Sequence, residues 1–388
     1  MAQQPPSASQ DIPTMLHLIL KAYRTTIVIN LSAHQQSAES LVPWGQLLFA
    51  VVNLRLPKEA VPEDLEEREK SEWWKAKKWA YAVLGRLFHR YVRSIACNIS
   101  RSQDFYQRYG NPSQMPSTLH VEYLPFAKHF IDAFAPEILN TYFRQVDLYV
   151  SNQEWLSSKC QYQIFQFFTE WCVFLSPFRF QWGLIQCFSV KPKSTWTLLK
   201  PHFDSFVSNF VFPQLSFNAT RRALWDNDPI DYIRVSVGAY DSLFFLGAAV
   251  LISLVDEYET FTTPVAAATT FLLSLATNRT KATFLPILGF INSILRVHGP
   301  PEQRFGALNM TAALGRQIMK HPEVKNSMEQ FMLQFVSPEL ESPEPFLRAI
   351  VSYLPCILCC YFFNPEHHTS VGSGNFGHSD KARSRMVF

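Results

Sequence analysis

The stretch from Glu67 to Tyr91, EREKSEWWKAKKWAYAVLGRLFHRY, restricts the fold more than any other part of the chain. Trp73, Ala76, Ala80, Val83, Leu84, Leu87 and Tyr91 recur at helical spacing, and Lys75, Lys78, Arg86 and Arg90 fall on the other side of the same cylinder. A helix of this kind needs neighbours to cover its apolar stripe, and it carries no visible catalytic chemistry.

The same period returns along the chain while strand alternation is scarcely seen. Leu16, Ile19, Leu20 and Tyr23 make a first stripe. Leu47, Leu48, Val51 and Val52 make a second, entered through a turn at Ser40, Pro43 and Trp44, and the two helices are expected to face each other as a hairpin. Phe203, Phe206, Val207, Phe210 and Val211 predict a helix closed off at Pro213. Thr263 and Pro264 read as an N-cap and first helical residue, with Phe271, Leu272 and Leu275 on the buried side. The following helix carries Phe284, Ile287, Leu288, Ile291, Ile294 and Leu295. Pro300 and Pro301 restart the chain into Phe305, Leu308, Ala312 and Ala313, His321 and Pro322 end that helix, and Met328, Phe331, Met332 and Phe335 form the next stripe.

Helix pairs that succeed one another without a sheet, each too small to bury its own surface, predict an all-α solenoid of stacked hairpins, with a closed helical bundle as the alternative. Repeats of the HEAT and armadillo type run ~40–47 residues and are degenerate in sequence, which accounts for the lack of an obvious internal repeat. With 388 residues, 47% apolar and 17% charged, the chain buries a large core. Its 35 Lys and Arg nearly balance 32 Asp and Glu, so no basic stripe marks a nucleic-acid partner. MAQQPPSASQD reads as a short disordered lead rather than a signal peptide, which predicts an intracellular protein. The apolar run from Leu243 to Val255 is too short to span a bilayer, so no membrane insertion is expected.

Several long blocks are more specific. They are LHLILKAYRT from Leu16, SLVPWGQLL from Ser40, the Glu67–Tyr91 block, KCQYQIFQFFTE from Lys159, STWTLLKPHFDSFVSNFVFPQLSF from Ser194, LWDNDPIDYIR from Leu224 and PPEQRFGALNMTAALG from Pro300. In order and kind they resemble the middle part of importin-β superfamily nuclear transport receptors, in the importin seven and eight branch and its fungal counterparts. The resemblance implies a HEAT-repeat superhelix that carries folded cargo through the nuclear pore and releases it to the GTP-bound form of Ran. Its implied partners are Ran in the GTP form, FG-repeat nucleoporins and basic protein cargo, and its implied places are the cytoplasm, the nucleus and the nuclear envelope at the pore. It implies no cofactor, no metal and no direct nucleic-acid contact. The repeats that make the main Ran contact in this superfamily have no counterpart here.

Residues 1–10 are thus the lead and 11–349 the solenoid segment. Stretches near 92–107, 172–189 and 237–254, together with a tail over 350–388 that is expected to be disordered, do not resemble the family. Removing the first joins LFHR to RYGNPSQ, the second splits FTE from VKPKSTW, and the third splits DYIRVS from VDEYETF. Six of the seven cysteines, Cys97, Cys172, Cys187, Cys356, Cys359 and Cys360, lie in these four stretches, which read as translated introns. Two rival readings follow: a helical-repeat scaffold unrelated to transport, and a nonfunctional product of a faulty gene model.

No chemistry competes strongly with recognition. The eleven histidines are dispersed, neither G-x-S-x-G nor H-E-x-x-H occurs, and His202 and His321 sit beside prolines at helix ends, so no enzyme is expected. The C-x-x-C-C run at Cys356, Cys359 and Cys360, near His367 and His368, has a spacing that zinc accepts, but it lies in the apolar tail. The acidic run of Glu63, Asp64, Glu66, Glu67 and Glu69 has two readings: an anionic rim for basic cargo, or stabilisation of helix ends, with Arg68 and Lys70 interleaved. Asp226, Asp228 and Asp231 carry the same pair of readings. Trp73, Trp74 and Trp79 spread round one helix, so either one of them is exposed in a groove that accepts the Phe side chains of FG repeats, or all are buried against a neighbouring hairpin.

Overall fold

The computed structural model describes residues 11–28, 31–56, 62–99, 124–173, 198–234 and 263–363, and among them every regular element is a helix. In chain order the main ones are α1 (Asp11–Thr26), the single turn α2 (Ala33–Gln36), α3 (Ala38–Asn53), α4 (Leu65–Lys70), α5 (Glu72–Ile99), α6 (124–150), α7 (Ser158–Val173), α8 (198–215), α9 (Ala219–Asn227), α10 (Pro264–Asn278), α11 (Thr280–Arg296), α12 (Pro301–Lys320), α13 (Pro322–Asn326), α14 (328–336) and α15 (Pro345–Phe363), with short helical pieces over 229–234 and Ser337–Glu341.

The packing sorts the longer helices into two rows. One row is continuous: α1 packs on α5, α5 on α7, α7 on α10, α10 on α12, and α12 on α15. The other row flanks it: α3, α6, α8, α11 and α14 each come before a helix of the continuous row in the chain, with α3 packed on α5, α8 on α10, α11 on α12, and α6 meeting α7 through the Tyr142 and Phe167 rings at 4.6 Å. Within the flanking row α3 touches α6, α6 touches α8, and Phe212 of α8 meets Phe290 of α11 with ring centroids 5.2 Å apart. Stacked hairpins with neighbour-to-neighbour contacts are the architecture of an α-solenoid, as the apolar stripes predict.

Rings hold the stack together. Tyr142 of α6 donates its hydroxyl to the Tyr81 carbonyl of α5 at 2.9 Å. Phe88 of α5 stacks on Trp171 of α7 at 5.0 Å. Phe165 and Phe168 of α7 then meet Phe210 and Phe206 of α8 at 4.4 and 4.6 Å, and Phe206 reaches Phe271 of α10 at 5.5 Å. Such pairs add about 0.5–1.5 kcal/mol each beyond area burial. Farther along, Phe217 lies flat on Phe346 of α15 at 3.9 Å and edge-on to Phe305 of α12 at 5.3 Å.

Local signals set most helix starts. Thr263 accepts from the Ala266 N–H and Pro264 takes the first helical position, as its sequence predicts. Asn218 and Asp64 cap α9 and α4 in the same manner. Three expectations change. Helix α3 starts at Ala38, capped by Ser37, and Pro43 and Trp44 lie inside it rather than in a turn. Helix α1 packs chiefly on α5, with Tyr23 stacked on Trp44 at 3.9 Å as its link to α3, so α1 belongs to the continuous row and is not the hairpin mate of α3.

Finally, α8 continues through Pro213 to Leu215. The reason is a single wide turn at Val207–Val211, where the Phe212 N–H reaches back to the Val207 carbonyl one residue farther than in an α-helix. Proline has no N–H to give, and its ring crowds the carbonyl four residues earlier; a wide turn just before it relieves both. The same device precedes Pro136 in α6, where Ala135 bonds to Phe130, and Pro338 after α14, where Ser337 bonds to Met332.

Candidate interaction surfaces

Helix α5 is buried on nearly its whole circumference because α1, α3, α6 and α7 surround it. Ala76, Ala80, Val83, Leu84, Leu87 and Tyr91 are core, as the stripe predicts, and so are Trp74, Lys77, Tyr81 and Phe88, which the stripe omits. Arg86 and Arg90 both turn their guanidinium groups to the Val28 carbonyl just past the end of α1, so part of the basic face is spent on an open helix end.

None of the three tryptophans is exposed. Trp74 is buried edge-on to Trp155 at 4.8 Å, with the Lys77 amine 5.1 Å from its ring. Trp73 and Trp79 are half-buried, and the Lys78 amine sits 4.4 Å above Trp79. A cation over a ring leaves that face already occupied.

The acidic run divides by task. Asp64 accepts from the Glu67 N–H at 2.9 Å as the cap of α4. Glu69 accepts from the Ser158 N–H at 2.5 Å and so caps α7 from a distant part of the chain. Lys70 binds Glu66 at 2.6 Å and approaches Glu67 at 3.7 Å, both pairs in the open. Arg68 donates to the Pro62 and Glu63 carbonyls and lies over Trp155. Glu63, Glu66 and Glu67 therefore remain the outward members. In the second cluster Asp228 caps the short helix over 229–234 through the Ile230 and Asp231 N–H groups, both at 3.0 Å, and Asp231 pairs with Arg234. Asp226 is exposed. The two clusters sit on different hairpins, and nothing in the structure joins them in one site.

No reactive constellation emerges among the described residues. Burial pushes the Cys160 and Cys172 thiols up to about 12, which keeps both protonated and inert at neutral pH. Burial likewise lowers Lys77, which the nearby Glu154 and Cys160 only partly offset. His202 stacks on Phe143 at 4.2 Å, and His321 closes α12 beside Phe284. The C-x-x-C-C run falls at the end of α15, His367 and His368 lie outside the described residues, and no metal-holding group occurs among those described. Among the described residues no helix is long and apolar enough to cross a membrane.

Of the stretches unlike the family, α5 runs through the first as far as Ile99, Cys172 is buried at the end of α7, and α15 crosses residue 350 with Val351 and Leu354 in the core. The rest of these stretches lie outside the described residues. Sequence reasoning missed the capping role of Glu69. Its signal is faint: a carboxylate near in space to a Ser158 start that is far away in sequence.

Stacked amphipathic hairpins define the described part of the chain as a helical-repeat stack. Comparison with known proteins agrees. The chain is 27% identical to the "Nonsense-mediated mRNA decay protein 5" of Saccharomyces cerevisiae over 90% of its own length and 29% of that protein's. It is 24% identical to human Importin-8 over 85% of this chain and 26% of that one, and 23% identical to an Importin beta-like SAD2 homolog of Arabidopsis thaliana over 89% and 28%. It is thus a relative of the importin-β superfamily, in the branch that its sequence blocks resemble, and its stacked helices are a HEAT-type solenoid. The chain spans less than a third of the length of the curated relatives it matches. No family model and no solved structure matches it.

Proposed function

We propose that the chain is a segment of a nuclear import receptor, which binds protein cargo and Ran in its GTP form and moves between cytoplasm and nucleus through FG-repeat nucleoporins. The observation that carries this reading is a likeness to importins that extends over 85–89% of the chain rather than a single motif. The fold supports it: a row of hairpins held by neighbour contacts changes curvature through small rotations at each joint, a motion suited to loading and releasing a folded partner. Glu63 and Asp226 are exposed without a capping task and Glu66 and Glu67 face solvent beside Lys70, so these four are the groups placed to attract basic cargo, whereas Asp64, Glu69 and Asp228 are engaged as caps.

A pull-down from purified components tests the proposal, using a histone or ribosomal protein, an FG-repeat peptide and Ran loaded with GTP. Capture of basic cargo that weakens when Glu63, Glu66 and Glu67 are changed together to Lys is expected. Failure to bind any of the three favours a scaffold unrelated to transport.

A further inference from the structure

Charge is spread unevenly along the stack. The whole chain holds 35 Lys and Arg against 32 Asp and Glu, yet between Pro264 and Lys320, over α10, α11 and α12, six Lys and Arg meet a single acidic residue, Glu302. The two ends of the α11–α12 pair treat this excess differently. At the end where α12 begins, Arg304 pairs with Glu339, and Glu302 with Arg222 at 2.9 Å. At the end where α12 closes lie Lys281, Arg316 and Lys320, and no carboxylate pairs with any of them among the described residues.

Two contacts gather these three residues. The Gln317 amide donates to the Thr277 hydroxyl at 2.9 Å, which holds the last turns of α12 against the end of α10, and His321 meets Phe284 with ring centroids 5.6 Å apart, which brings the start of α11 to the same place. Arg316 and Lys320 are one turn apart on α12, and Lys281 stands one turn before Phe284 on α11. Lys281 and Lys320 are exposed and Arg316 is half-buried; Arg279 precedes them at the α10–α11 joint, Lys325 follows on α13, and Glu323 is the one acidic residue of α13. Partial desolvation, and then the Arg316 charge, hold the Lys320 ammonium below its ordinary value. Helix stability accounts for Lys320, in the last turn of α12, but not for Lys281, which lies in the first turn of α11, where the helix dipole disfavours a cation. An outside anion relieves that repulsion. The surroundings select its kind. Among the described residues near the cluster no exposed aromatic ring offers a base a stacking surface, since Phe284 is buried and the His321 ring is turned to it. The cations form a patch at one joint rather than a stripe that tracks a phosphate backbone, and carboxylates spaced along a peptide match such a patch.

We propose that Lys281, Arg316 and Lys320, where α10, α11 and α12 meet, form a docking patch for an acidic segment of a partner protein, a run of Asp and Glu. This inference rests on the distribution of charge and not on the transport reading, whose test uses basic cargo, so either can fail without the other. Fluorescence anisotropy of the 388-residue chain with a fluorescein-labelled deca-glutamate peptide provides the test, with single-stranded RNA as competitor. The expected result is binding that Lys281→Glu, Arg316→Glu and Lys320→Glu together weaken about tenfold or more. Lys21→Glu, Arg144→Glu and Arg296→Glu, which reverse exposed cations on three separate helices, should together weaken it less than about threefold, because exposed charges farther away than a Debye length are screened. If the clustered reversal fails to fold, Lys281→Ala, Arg316→Ala and Lys320→Ala together, with melting unchanged, should still weaken binding more than the scattered reversal does. Three results overturn the proposal: no binding of the peptide by the parent chain, equal losses in the clustered and scattered variants, or RNA that displaces the peptide and binds more tightly through the same three residues.

Discussion

The two rows of the stack are built to different rules. Four flanking helices carry a proline beyond their first turn, Pro43 in α3, Pro136 in α6, Pro213 in α8 and Pro286 in α11, and Pro338 follows directly after α14. In the continuous row α10 and α12 carry proline only at the first turn, where it favours the helix, and α5 and α7 carry none; Pro355 in α15, at the row's end, is the exception. Up to its last helix the continuous row is thus free of proline beyond the first turn, and the flanking row is where the chain accommodates it. In a solenoid that division lets one layer fix the order of repeats while the other follows the curvature.

Exchanging the rule between rows gives the largest expected effect. Ala268→Pro removes a hydrogen bond to the Pro264 carbonyl at a fully buried position of α10 and should cost ~3 kcal/mol or more, enough to abolish folding in a chain of ordinary stability. Pro213→Ala in α8 should cost less than about 1 kcal/mol, because the wide turn at Val207–Val211 already serves a missing donor. Urea melts of the two variants decide the matter. Equal losses would show that the rows do not differ in tolerance.

Truncation separates the rows next. Phe168→Ala empties the ring cluster between α7, α8 and α10 and should cost ~3–5 kcal/mol, whereas Leu285→Ala in α11, whose side chain is 55% exposed, should stay within about 0.5 kcal/mol. Somewhat smaller is the effect of Gly306→Ala in α12. Its new methyl would stand 2.6 Å from the Ser216 hydroxyl oxygen and 3.0 Å from the Ser216 Cα, where α8 ends against the continuous row. The Ser216 hydroxyl can turn away but the backbone cannot, so a loss of ~1–3 kcal/mol is expected in the same melts. An unchanged midpoint would mean that the two rows are less closely fitted at this joint than the geometry requires.

How much of this was legible beforehand follows from the range of each interaction. Stripes such as Phe203–Val211 and caps such as Thr263 depend on residues a few positions apart, so they read directly from the chain. The row order does not. Leu16 and Tyr23 show that α1 is amphipathic, yet nothing local says that its mate is α5 rather than α3. Pro213 misled for a related reason, since a proline ends a regular helix and only the wide turn before it lets this one continue. The recurrence of proline along the flanking helices was in the sequence throughout, but it acquires meaning only once the rows are known. Of the candidate contact residues, the caps Asp64 and Asp228 followed from position, while the tie from Glu69 to Ser158 and the ammonium over Trp79 needed the folded chain.

The smallest effect concerns what clamps α5 to its neighbours in the continuous row. Two His–carboxylate pairs bridge its joints: His17 of α1 to Glu72 at 2.7 Å, and His89 to Glu170 of α7 at 3.2 Å. Glu72 also binds Lys75 at 2.7 Å, and the Lys75 ammonium, ahead of the His17 ring, holds the Glu72 carboxyl below its ordinary value against the opposing pull of burial. A carboxyl depressed in the folded state contributes stability that is present above the unfolded value of 4.5 and is lost as pH falls through the lower folded value. Glu72→Gln should therefore lower stability modestly at neutral pH, with the gap from the parent closing below pH 4.5. Circular dichroism melts between neutral and acid pH provide the measurement. A gap that persists undiminished into acid would assign the Glu72 loss to packing, and the electrostatic clamp at the α1–α5 joint would have to be given up.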